Sequence, residues 1–178
     1  MKSIKTVLGV LLATALFAFT TGAATNAPVV TQTPVATSDW TLSLSGAGSV
    51  GVGSDADAAF GTEFELGHDG KLILPFNGGI RQGIAWSDTE GSSWNFSTKL
   101  FADVPVLRLG SVQFDVGANV GALYGDTDTV WTAAPEAVVR LYLKEDVDVF
   151  LRAEYPFDLD KLEAVKTVSL ALGIRVRF

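Results

Sequence analysis

The chain has 178 residues, enough for one domain of ordinary size, and its 13 Lys+Arg against 20 Asp+Glu argue against nucleic acid as a partner. It contains no cysteine, which excludes disulfides, thiolate metal sites, a cysteine nucleophile and a lipidated cysteine anchor. The 18 glycines, and 48% hydrophobic residues against only 19% charged, point to an all-β or a membrane protein.

Taken in chain order, Lys2 and Lys5 precede an apolar run from Val7 to Phe19, and the small residues Thr21-Gly22-Ala23-Ala24 follow. This is the layout of a secretory signal peptide, read here over residues 1–23. About 13 apolar residues are too few for a spanning helix, which needs roughly 20. Without the two lysines, 11 basic residues face 20 acidic ones, so the net charge of −7 becomes −9. Residues 24–38 are rich in Thr, Ala and Val with Pro28 and Pro34 and show no period, so they read as a disordered or extended leader, which the resemblance given below would place in the periplasm. The structured part is expected over residues 39–178.

From Trp40 the sequence alternates. Trp40, Leu42, Leu44, Val50 and Val52 stand opposite Thr41, Ser43, Ser45, Ala47 and Ser49. After the turn signal "GSDAD", Phe60, Phe64 and Leu66 oppose Glu63 and Glu65. "HDG" reads as a tight turn, and a third run sets Phe76, Ile80, Ile84 and Trp86 against Asn77, Arg81 and the glycines 79 and 83. Beyond "SDTEGS", Trp94, Phe96, Leu100 and Val104 face away from Asn95, Ser97, Lys99 and Asp103. A turn over 105–110 leads to Val112, Phe114, Val116, Val120 and Tyr124 opposite Gln113, Asp115, Gly117 and Asn119. The sixth run opposes Trp131, Val139 and Leu141 to Glu136, Arg140 and Tyr142, and the seventh opposes Val149, Leu151, Tyr155 and Phe157 to Asp148, Arg152 and Glu154. The last, "VSLALGIRVRF", alternates Leu170, Leu172, Ile174, Val176 and Phe178 with Gly173, Arg175 and Arg177.

These are eight strands of about 10 to 15 residues, whereas globular strands average nearer 5 or 6 and a tilted membrane strand needs about 9 to 11. The apolar face is too large and aromatic to fill the interior of an eight-stranded barrel. A soluble lipocalin-type barrel would need it there. The opposite face holds Glu63, Glu65, Arg81, Lys99, Asp103, Asp115, Glu136, Arg140, Asp148, Arg152, Glu154 and Arg175, a mixture of acids and bases suited to pairing in a narrow lumen. The arrangement that satisfies both faces is an all-β, eight-stranded antiparallel transmembrane barrel with up-and-down connectivity, apolar outside and polar within. Trp86, Trp94, Tyr124, Trp131, Tyr155 and Phe157 fall at one end of their strands, and Trp40 and Phe178 at the other, as two interfacial girdles would.

The last strand, alternating and ending in Phe178, resembles the C-terminal assembly signature of bacterial outer-membrane proteins, carried here by Ile174, Val176 and Phe178. With the signal peptide and the strand count, the chain looks like the small barrels typified by the OmpA transmembrane domain, OmpX and the opacity proteins. The resemblance rests on pattern over Trp40 to Phe178 and not on a shared motif. It implies an outer-membrane location, recognition by the barrel assembly machinery, contact with membrane lipid and lipopolysaccharide, and a monomer. It also implies that both chain ends face the periplasm. The turns at 68–71, 105–110 and 144–146 then face the periplasm, and those at 53–57, 87–92, 125–129 and 158–165 face outward.

Chemistry-bearing candidates are few. "GAGSVG" over residues 46–51 matches a dinucleotide-binding spacing but lies within a strand with no helix after it, so its glycines serve the wall instead. His68 is the single histidine and is placed in a periplasmic turn, whereas the lipid-modifying barrel enzymes carry theirs near the outer face; a lipid A-modifying activity is therefore disfavoured and no catalytic residue is assigned. The outward turns each hold an acid-x-acid pair: Asp55 and Asp57, Asp88 and Glu90, Asp126 and Asp128, Asp158 and Asp160. Such a rim could take Ca²⁺ or Mg²⁺, or it could simply reflect the preference of Asp for turns. No other cofactor is implied. The expected function is non-enzymatic, structural support of the envelope or surface interaction, with a narrow cation-preferring channel as the alternative.

Overall fold

The computed structural model describes residues 40–51, 58–71, 75–87, 93–125, 129–161, 163–165 and 167–178. The signal peptide and leader expected over 1–38 lie outside them. Ten extended segments follow in order: β1 Trp40–Gly51, β2 Ala58–Lys71, β3 Pro75–Ser87, β4 Ser93–Leu109, β5 Val112–Tyr124, β6 Thr129–Lys144, β7 Val147–Glu154, β8 Phe157–Asp158, β9 Glu163–Ala164 and β10 Thr167–Arg177. Among the described residues there is no helix.

Every pairing is antiparallel, each long strand pairs with its sequence neighbour, and β10 returns to β1, so the sheet closes on itself. The segments form eight staves, because β8 continues β7 along β6, and β9 with β10 makes the last. The interruption has a local cause. Pro135 and Pro156 each lack a ladder N–H where β7 gives way to β8. The chain still stays on course: Tyr155 N–H donates to Pro135 O at 3.3 Å and Leu159 N–H to Trp131 O at 2.9 Å.

Two turns differ from the sequence expectation. β4 runs through Pro105 to Leu109 with an irregular register between Pro105 and Leu107, and the chain reverses at Gly110-Ser111. Gly110 has φ +60°, a left-handed conformation open to glycine at little cost, which is why the tight turn forms there and not at the proline. β2 likewise continues through His68 to Lys71, which pairs with Pro75.

Side chains divide by parity. Leu44, Phe60 and Leu172 are each more than 60% exposed on the outside, whereas Arg81, Arg175, Asp115 and Asp148 are fully buried inside. This is the reverse of a soluble barrel. An outer surface of this size and composition is a lipid-facing one, and closure leaves no strand edge to be satisfied in hydrocarbon. Trp94, Tyr124 and Trp131 are exposed at the end away from the termini, Trp86 pairs in register with Trp94, and Tyr155 stacks edge-on with Phe157 at 5.4 Å. At the other end Phe178 N–H donates to Trp40 O at 3.1 Å, and both rings are exposed. Ile174 and Val176 point outward on the same strand.

Candidate functional site

The lumen is built by the inward parity of every stave, so its contents are set by alternate residues of strands far apart in sequence. Nearest the termini, Arg175 donates to Asp148 Oδ2 through Nη2 at 2.9 Å and Nε at 3.1 Å. Arg177 reaches Asp69 at 3.0 Å and the Tyr142 hydroxyl at 3.3 Å, and Asn77 donates to Asp69 at 2.8 Å. One level further in, Arg140 lies between Asp103 at 3.3 Å and Asp115 at 2.6 Å. The closer approach is out of line for a hydrogen bond, so its contribution is that of proximate charge.

The middle of the lumen is crossed by Arg81 of β3. Its Nε donates to Glu65 at 3.0 Å, and its two terminal nitrogens donate to Glu136 of β6 at 3.0 and 3.4 Å. The guanidinium also lies 4.7 Å from the centre of the Phe101 ring. A planar fork with several fixed donors suits this bridging role in a way that a lysine would not. Asn119 donates to both Glu136 and Glu154 at 2.8 Å, and Lys99 meets Glu154 at 2.5 Å. Arg152 pairs with Glu65 at 3.1 Å and also with Glu63.

Asn119 and Phe101 join this network although charge does not single them out; the available signal is that Phe101 shares the parity of Lys99 and Asp103 on β4, and Asn119 that of Gln113 and Asp115 on β5. Acids outnumber bases inside, and Asp103 Oδ1, Asn119 Oδ1 and Asp148 Oδ1 are buried with no protein partner among the described residues. The interior is therefore rich in acceptors.

Away from the termini the lumen changes character. Small residues replace the long ones, and a cavity of about 340 Å³ opens above a floor formed by Glu63, Lys99, Arg152 and Glu154. Its wall includes Ala47, Ser49, Ala59, Ala85, Leu123 and Thr132. The lumen is thus a plug in one half and a cup in the other.

His68 lies in β2, outside the lumen, with its ring edge-on to Trp40 at 5.0 Å on the terminus-proximal rim. Of the acidic rim, Asp158 and Asp160 are described, and Asp55, Asp57, Asp88, Glu90, Asp126 and Asp128 lie outside the described residues. Asp158 is occupied locally: its Oδ1 accepts the backbone N–H of Asp160 at 2.9 Å and of Lys161 at 3.1 Å, and the Lys161 ammonium stands 3.5 Å from Oδ2. The Lys161 N–H above all, with that of Asp160, holds this carboxyl below the usual aspartate range.

No protein-family model matches the chain, and no curated protein matches it in sequence. The fold is shared with solved structures. Neisserial surface protein A superimposes with a TM-score of 0.63 at 15% identity over 78% of this chain and 97% of that one. The chain has the fold of the small outer-membrane barrels. The outer membrane enzyme PagL matches this barrel with a TM-score of 0.54 at 10% identity, over 75% and 99% of the two chains. Ail, the attachment invasion locus protein of Yersinia pestis, matches it with a TM-score of 0.51 at 13% identity, over 79% and 99%. An enzyme and proteins named for surface location or attachment thus share one barrel, and the shared fold leaves the activity open.

Proposed function

We propose that this protein is a non-enzymatic, non-conducting barrel of the bacterial outer membrane, which supports the envelope and meets surface ligands at its outward end. The reading is carried by the cross-lumen ion pairs. Arg81 of β3 binds Glu136 of β6, and Arg152 of β7 binds Glu65 of β2, so the bonds span the lumen from wall to wall. Passage of an ion would require these buried charges to separate, and parting either partner of such a pair costs about 3–5 kcal/mol. The lipid-facing belt and the fold support the outer-membrane location. With both termini periplasmic, as in the barrels it resembles, the cup faces the cell exterior. The single histidine stands on the opposite rim beside Trp40, away from the cup, which favours a non-enzymatic role over lipid modification. Lipid and lipopolysaccharide surround the belt on this reading, and the outward row Ile174, Val176 and Phe178 is the surface offered to the assembly machinery.

The test is single-channel conductance of the purified protein in planar bilayers across a salt gradient, with incorporation established by a heat-dependent gel shift. A silent membrane is the expected result. Reproducible cation-preferring steps would replace this reading with that of a narrow channel.

A further inference from the structure

We propose that the outward cup binds a small zwitterion with an apolar body, an α-amino acid of the leucine class. This deepens the surface-ligand reading above and rests on the lumen being closed beneath the cup. The floor offers both signs of charge at once. Lys99 has three ammonium N–H groups, and Glu154 Oε1, at 2.5 Å, engages one of them. Glu63 gives one carboxylate oxygen to Arg152, while among the described residues no donor reaches the other, Oε1.

Gly83 lets these groups stand close together. A Cβ placed there would lie 2.5 Å from Ser97 Oγ, 3.4 Å from Glu63 Cγ and 3.7 Å from Glu63 Oε1, so the missing side chain is what allows Ser97 and Glu63 to line the cavity side by side. A ligand carboxylate fits the Lys99 ammonium and the Ser97 hydroxyl, and a ligand ammonium fits Glu63 Oε1.

Lys99 is paired with Glu154, and Arg152 is shared between Glu63 and Glu65. A ligand with one charged group would answer either Lys99 and Ser97 or Glu63 Oε1, whereas a zwitterion answers both. The wall supplies the rest of the selectivity. Ala47, Ala59, Ala85 and Leu123 present methyl groups to the cavity, and about 340 Å³ lies at the lower end of the size of small-ligand sites, roughly 300–1,000 Å³.

The test is calorimetric titration of the protein, purified from the outer membrane in detergent, with L-leucine, isocaproate and isoamylamine. The last two are the same skeleton with one charge removed. Leucine should bind, and each analogue should bind at least about tenfold more weakly, the loss expected for a missing charged hydrogen bond. Lys99→Met and Glu63→Gln should each weaken leucine to a similar extent. Ser49→Trp, in the wall away from the floor, should abolish binding by filling the cup while leaving every floor charge in place. It keeps the test decisive if a floor variant fails to fold. Failure of leucine to bind, or equal binding of leucine and either analogue, overturns the proposal. Conductance measured on the same preparation keeps the two readings apart: a silent barrel that ignores leucine refutes the ligand and leaves the closed lumen standing.

Discussion

Arg81 is 1% exposed and carries three hydrogen bonds to two carboxylates while lying over an aromatic ring. Replacing it with methionine keeps much of the volume but leaves Glu65 and Glu136 facing each other without their shared cation. We expect Arg81→Met to lower the stability of the barrel in lipid vesicles by about 3–5 kcal/mol, read as a shift in urea-induced unfolding. Arg81→Met combined with Glu136→Leu should recover most of that loss, since removing both members of a buried pair is far milder than removing one. Unchanged unfolding in the single variant would mean that water, and not protein, compensates these charges. The sequence shows that Arg81 has the parity of a polar face. It contains no sign that the partner stands 55 positions later on β6, because that depends on which staves face each other across the closed ring.

The hairpin between β4 and β5 turns on Gly110, whose φ of +60° a β-branched side chain does not tolerate. Gly110→Val is expected to cost about 1–3 kcal/mol of stability by the same unfolding measurement; Gly110→Asn should cost less, since asparagine enters this region more readily. The expected turn over 105–110 opens at Pro105, five residues earlier, yet the strand passes through the proline by shifting register. Local chemistry could not foresee this, because the neighbouring strand β5 supplies the partners that hold β4 extended. The turn after β8 depends on Asp158 in its charged form. A carboxyl whose pKa is lower in the folded than in the unfolded state contributes stability above the ordinary aspartate pKa, and that contribution disappears as pH falls through the lowered value. The amides of Asp160 and Lys161 should therefore lose hydrogen-exchange protection, corrected for intrinsic rate, on acidification. In Asp158→Asn, which keeps an acceptor and has no charge to titrate, that dependence should flatten. Equal pH dependence in the two proteins would assign the effect to another group.

For the whole molecule the deciding contrast is between an exposed apolar exterior and a buried charged interior. Leu172, near the middle of β10, is 61% exposed and points away from the lumen. Leu172→Arg should destabilise the bilayer-inserted barrel by about 2–4 kcal/mol, the cost of a cation on a lipid-facing wall near the midplane. On a water-facing surface the same change would stay within about 0.5 kcal/mol. A small effect in vesicles would therefore argue that this face meets water, not lipid. The two-part lumen, plug below and cup above, also belongs to this scale. Long charged side chains are concentrated at the terminus-proximal and middle levels, and Gly, Ala and Ser at the far level.

Which residues point out and which point in, where the aromatic bands fall, and that the strands are long enough to cross a bilayer are all legible in the amino-acid order. These follow from the period-two geometry of an extended chain, which is a local property. The tertiary structure alone decided that Arg81 meets Glu136, that Arg152 meets Glu65, that β7 breaks and resumes as β8, and that a cavity remains above the ion pairs. Each of these depends on how far one strand slides against the next when the sheet closes, and that stagger is fixed by all eight staves together.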